Sequence, residues 1–207
     1  MRGAEVLLTG FSLGCLAVIF VIVMRDFWHL PVAKVFLALL ISVSAYLLRD
    51  SVSKDFRWLT SDIMTMMPAL FWLLCQLAFS RRPKLFSFWS MLALYSFIAP
   101  ALTMPLGSRD PSIGLLHILG LRVPQFTEYI IILQGLWVLV SNWQDDLIAS
   151  RRQLRGALLG SVGFTGLWVT ISLNTGHGSS SSLPIVTSIA SLLAAYLLLM
   201  GREGVLL

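Results

Sequence analysis

The sequence predicts an all-α, polytopic membrane protein of seven transmembrane helices, and three observations carry that expectation. The chain is 57% hydrophobic and 12% charged, half the roughly 25% charge of a soluble domain, with a mean hydropathy of +0.84. Windows of about twenty mostly apolar residues recur along it, the length that crosses a ~30 Å hydrocarbon core. The breaks between them carry charges or turn residues. A β-barrel would need ~10-residue alternating segments, and none is present. The 207 residues read as one seven-helix domain, 1–207.

The first span, near 4–24, contains the apolar run Val6 to Met24. That run is longer than a signal-peptide core and no small-residue cleavage site follows it, so the helix is expected to be retained. RDFWHLP precedes the second span, 30–48, and RDSVSKDFRW the third, 60–79. Within the third, Pro68 removes a backbone hydrogen bond and predicts a bend in mid-membrane. Met64, Met66 and Met67 before it, with Phe71 and Trp72 after it, make an adaptable apolar surface. That surface is either packed or lipid-facing, or it lines a lipophilic pocket with Met66 and Trp72 as candidate ligand contacts.

SRRPK leads into the fourth span, 85–104, and PLGSRDPS ends it. The apolar segment SIGLLHILGL is too short to cross and is expected to lie at the interface or dip back in. The fifth span, 126–143, follows it. The sixth and seventh, 156–174 and 184–200, are separated by TGHGSSSSLP.

An odd number of spans places the termini on opposite sides. One side holds Arg2, Arg49, Lys54, Arg57, Arg109 and Arg122 with six acids, and is neutral. The other holds Arg25, Lys34, Arg81, Arg82, Lys84, Arg151, Arg152, Arg155 and Arg202 with four acids, a net charge of +5. Basic short loops stay cytoplasmic. The carboxyl end is therefore expected inside and the amino end outside.

Several classes of chemistry find no support. Cys15 and Cys75 fall inside spans and read as small apolar filler. The last span has no lysine for a retinal Schiff base, and HExxH, GxSxG and Walker patterns are missing. Gln76 and Gln134 are the strongly polar residues well inside the expected spans, whereas pumps and coupled transporters carry ionisable groups there. No enzyme activity, metal site or cofactor is predicted. Gly10 and Gly14 in the first span, and Gly156, Gly160 and Gly163 in the sixth, have the spacing that lets helix backbones approach. They are expected to serve internal packing, with a homodimer seam as the other possibility.

Two constellations remain as candidate sites. SNWQDDLIASRRQLRG, 141–156, sets Asp145 and Asp146 ahead of Arg151, Arg152 and Arg155. A helix starting there would have acids at its positive end and cations further along. The plain reading is a topology anchor touching phosphate headgroups; the functional one is a cytoplasmic coupling surface. On the outer side, Asp62 and Glu128 begin the third and fifth expected spans, and His117 lies between. Acids at helix starts are stabilised by the dipole, so position alone explains the carboxylates. With His117 they otherwise form a polar ligand pocket.

PALFWLLCQLAFSRRPKLFSFW at 68–89, GLLHILGLRVPQFTEY at 114–129 and NWQDDLIASRRQLRG at 142–156 resemble the amino-terminal membrane region of membrane-bound AraC-type transcription regulators. The resemblance runs from about Pro31 to the last span. It implies a sensory, anchoring seven-helix part in a bacterial inner membrane, passing a periplasmic or intramembrane signal to a cytoplasmic DNA-binding domain. Only Gly-Arg-Glu-Gly-Val-Leu-Leu follows Met200. The expectation is thus the membrane part of a longer regulator, without direct nucleic-acid binding of its own; the partners implied are the bilayer, that domain or another cytoplasmic protein, and a small-molecule signal. Two alternatives stay open: a seven-helix small-molecule facilitator, suggested by Pro124-Gln125, and a non-catalytic scaffold assembling through its glycine faces.

Overall fold

The computed structural model describes residues 2–49, 51–53, 56–80, 83, 85–103 and 114–142, and, in short runs, 162–163, 165–168, 170–171, 185–190, 192–193 and 196. The described residues are helical apart from short connections, with no strand among them. In chain order the helices are α1 (Arg2–Phe27), α2 (Pro31–Leu48), α3 (Arg57–Thr65), α4 (Met67–Phe79), α5 (Phe88–Thr103) and α6 (Gly114–His117). A π-helical turn (Ile118–Arg122) then leads into α7 (Val123–Ser141). Further helical residues occur within 162–171 and 185–196.

Four stretches among the described residues are long and apolar enough to cross a membrane: Val6–Phe27, Pro31–Leu48, Trp58–Phe79 and Gly114–Ser141. α5 is apolar but has 16 residues, fewer than the roughly 20 of a perpendicular span. The sixth and seventh expected spans lie in large part outside the described residues. The bundle also wears its grease outward. Val6, Leu7, Val21, Met91, Trp137 and Val140 are each more than 60% exposed, an arrangement suited to a hydrocarbon solvent rather than water.

Two irregularities shape the bundle, and a proline makes each. The tight junction between α1 and α2 is regular: Leu30 N–H donates to the Phe27 carbonyl at 2.9 Å. Pro31 then opens α2, where its missing N–H is one the helix would not use. In the third apolar stretch the helix breaks at Met66. Its N–H reaches back three residues to Ile63 O at 3.3 Å, and Pro68 stands in the first turn of the new helix. Ser42 of α2 donates its hydroxyl to the same Ile63 carbonyl at 2.7 Å. The helix is interrupted near the proline as expected, with the break at Met66, two residues ahead of it.

The second irregularity corrects an expectation. SIGLLHILGL does not stand apart, because from Gly114 onward it runs through the π turn into α7 and extends the fifth span to Gly114–Ser141. In the π turn, Val123 N–H bonds five residues back to Ile118 O. Pro124 has no N–H to offer Leu119 or Gly120. Tyr95 donates its hydroxyl to Leu119 O at 2.6 Å; the Thr103 hydroxyl donates to Ala99 O of its own helix at 2.7 Å and lies 3.3 Å from Gly120 O. The Leu119 carbonyl is satisfied from α5, and the apolar chain continues through the π turn instead of turning aside.

α4 lies at the centre, packed against α2, α5 and α7, while α1 packs on α2. The core between them contains Ile19 and Val23 of α1, Phe36 and Leu39 of α2, Phe71, Leu74 and Cys75 of α4, and Ile132 of α7. Among the described residues a Cβ built at Gly10 or Gly14 meets nothing within 4 Å, so none of them packs on this glycine pair. Ser12, Leu16, Ile19 and Val23 are the buried stripe of α1, and at 100° per residue the two glycines lie on the opposite side.

Candidate functional site

Beside the break in the third stretch the bundle holds a partly open apolar cavity of about 50 Å³, several times the roughly 10–15 Å³ that one water needs. Five helical elements build its wall. α1 supplies Leu16 and Ile19; α2 supplies Phe36, Leu39, Leu40 and Val43; α4 supplies Met67 and Phe71. The helical residues of 162–171 and 185–196 contribute Val162, Thr165, Gly166, Thr187 and Ala190. The two threonines already have partners within the protein. Between α1 and the helical residues of 185–196 a hydroxyl pair, Ser12 and Ser188, hydrogen-bonds at 2.7 Å, and the hydroxyl not donating to its partner donates to Leu8 O, which lies 2.9 Å from Ser12 and 3.2 Å from Ser188.

Phe71 is the structural pivot of this wall. It is 2% exposed and sits between two glycines. A Cβ at Gly135 of α7 would come within 3.1 Å of its ring, and one at Gly163 within 2.5 Å. α4 and α7 can therefore lie close together, and the ring is fixed on two sides with the cavity on a third. Met67 begins α4 directly after the break, so any change of bend moves this part of the wall first.

The residues singled out from the sequence are distributed differently. Met66 is the break itself, half-buried, and its neighbour Met67 reaches the cavity. Trp72 is buried but faces the other way, packed with Ala93 of α5 and Ile131 of α7, its indole N–H donating to the Gln134 side-chain oxygen. Asp62 is half-buried in the second turn of α3. His117 ends α6, its Nε2 accepting from Arg122 Nε at 3.3 Å. Glu128 is half-buried on the inner stripe of α7, with Pro124, Ile131, Ile132 and Gly135.

Neither carboxylate occupies a first helical turn, so the helix-start explanation applies to neither. His117 and Glu128 are eleven residues apart on one near-continuous helix, roughly 16 Å along its axis. Among the described residues no three His, Cys, Asp or Glu side chains gather as a metal site would require. Asp145, Asp146, Arg151, Arg152 and Arg155 lie outside the described residues. Leu16, Phe36 and Leu40 were not anticipated, and no local signal distinguishes them from other apolar positions. Gly163 was noted only as part of a small-residue series; its packing on Phe71 is what matters here.

No protein-family model matches the chain, and comparison with curated proteins and with solved structures gives no match.

Proposed function

We propose that this chain is the membrane-embedded sensory and anchoring region of a regulator of the membrane-bound AraC type, held in a bacterial inner membrane by seven spans with its carboxyl end in the cytoplasm. A periplasmic or intramembrane signal is received in the bundle and passed to a cytoplasmic DNA-binding domain. The observation that carries this reading is the apolar cavity set against a broken helix, because Met67 and Phe71 belong both to the cavity wall and to the first two turns after the break. A signal shifts a conformational equilibrium only through different affinities for the two states. A cavity whose wall moves with a bend supplies that difference.

The charge asymmetry of the loops supports the orientation. Asp145, Asp146, Arg151, Arg152 and Arg155 would form the coupling surface on the cytoplasmic side. The test has two parts. The native gene product is expected to have an intact mass above the 23.0 kDa of this chain by a domain's worth, ~10 kDa or more; a native product that ends at Leu207 removes the attached reader. In that product, Arg151→Ala with Arg152→Ala is expected to impair promoter output while leaving the folded amount in the membrane unchanged. Normal output would reduce the pair to an orientation signal.

A further inference from the structure

We propose that the cavity bounded by Leu16, Phe36, Leu40, Met67, Phe71 and Gly166 is a binding site for a single aliphatic chain. Its wall is made of hydrocarbon side chains from five helical elements, and its two hydroxyl-bearing residues, Thr165 and Thr187, already have partners within the protein. Nothing in it waits for a polar ligand group. An apolar cavity of this size stays dry, since water placed there would find too few polar partners, and an empty one forfeits dispersion contacts on every side. The surrounding solvent is itself hydrocarbon, so the occupant these walls favour is a stretch of methylene groups whose polar end stays outside.

Two features make the site loadable. The break at Met66 leaves the Met67–Phe71 wall at the start of a helix rather than in the middle of one. On the far side Gly166 leaves open volume: a Cβ there would have Met67 Sδ at 3.8 Å as its nearest neighbour. The chain can come from a bilayer lipid or from a free amphiphile that partitions into the membrane. That the occupant acts as the signal rests on the sensory reading above; occupancy itself does not.

Photo-cross-linking of the full chain in phosphatidylcholine nanodiscs tests the proposal. One arm uses phosphatidylcholine carrying a diazirine near the end of an acyl chain, the other a diazirine-bearing long-chain alcohol. Label in the Met67–Phe71 region, above that at outward-facing Trp137, is expected in at least one arm, and the arm identifies the source. Gly166→Leu places a side chain in the cavity. Filling the cavity removes the void that made the chain's dispersion contacts favourable, so label in the Met67–Phe71 region falls severalfold while label at Trp137 stays constant. Ala190→Leu fills the cavity from another helix and gives the same readout if Gly166→Leu does not fold. Label in the Met67–Phe71 region no higher than at Trp137 in both arms, or label unchanged by a folded filling variant, overturns the proposal. Because cross-linking reads occupancy without any promoter, its failure is distinct from a failure of the sensory reading, which promoter output reports.

Discussion

Gly163→Ala is the sharpest perturbation of the site, with Gly166→Ala as its internal control. At Gly163 the new methyl would lie 2.5 Å from Phe71 Cζ and 2.8 Å from Leu136 Cδ2. Carbon atoms rest at roughly 3.5–4.0 Å, so the ring has to retreat by about 1 Å or more. It cannot back into α7, where Gly135 and the ring are already close, so it moves toward the cavity. Overpacking of this kind costs about 1–3 kcal/mol. A gain in helix propensity of ~0.8–1 kcal/mol accompanies any Gly→Ala change in a helix interior, but Gly166→Ala collects the same gain with its nearest contact at an ordinary 3.8 Å. Propensity therefore cancels between the two variants. The expected difference is the overpacking alone, ~1–3 kcal/mol, read from reversible unfolding of the purified protein in mixed micelles. Phe71→Leu placed on top of Gly163→Ala should return part of the loss, with a coupling of about 0.5–3 kcal/mol. Equal stability of the two alanine variants, within about 0.5 kcal/mol, would refute the placement of Phe71 between the two glycines.

Two further outcomes test the irregular parts of the bundle. Ser42→Ala removes the hydroxyl that spans from α2 to Ile63 O and is expected to cost ~0.6–1.7 kcal/mol, the range of interhelical hydrogen bonds in membranes. Ser44→Ala, whose hydroxyl serves Leu40 O in its own helix at 2.8 Å, should cost little, and equal losses would refute the clasp. In a background with Cys15→Ala and Cys75→Ala, Glu128→Cys reports where the fifth span begins. Any 20-residue window of Gly114–Ser141 leaves position 128 at least ~7 Å from its nearer end. Slow reaction with a charged, impermeant thiol reagent and fast reaction with a lipid-soluble one are expected; fast reaction with both would return the helix start to about residue 126.

The parts of this fold that were legible are those set by local chemistry. The first three apolar stretches follow from length and hydropathy, and Pro31 and Pro68 mark a helix start and a helix break by their missing N–H groups. The break falls at Met66 because a proline ring interferes with the turn before it. SIGLLHILGL was misread for a tertiary reason. Ten mostly apolar residues are too few to cross, but a hydroxyl from Tyr95, 24 residues away in sequence, serves Leu119 O and the stretch runs on through the π turn into α7. Gly10 and Gly14 show a related blindness, since spacing says that two glycines share a face but not which face meets the protein. The cavity was invisible in the sequence because a void is a property of how helices lie together; Phe36 in its wall and Phe97 outside it have the same composition signature.

The two irregular places obey one physical rule, and it bears on how the site could respond. In hydrocarbon an unsatisfied carbonyl costs several kcal/mol, so a hydroxyl donated from a neighbouring helix steadies a proline-weakened one. Ser42 adds a second donor to Ile63 O, which already accepts Met66 N–H at the first break, and Tyr95 serves Leu119 at the second. Neither bend is a free hinge. Each is latched by a hydroxyl that donates from the adjacent helix, at roughly 1 kcal/mol apiece. A chain entering the cavity presses on Met67 and Phe71, immediately beyond the first latch, and the dispersion contacts it restores, at ~0.1–0.2 kcal/mol per atom pair, add over a few methylene groups to the size of the latch energy. Occupancy and bend are therefore balanced against each other, and Ser42→Ala should make the Met67–Phe71 wall easier to displace as well as the bundle less stable.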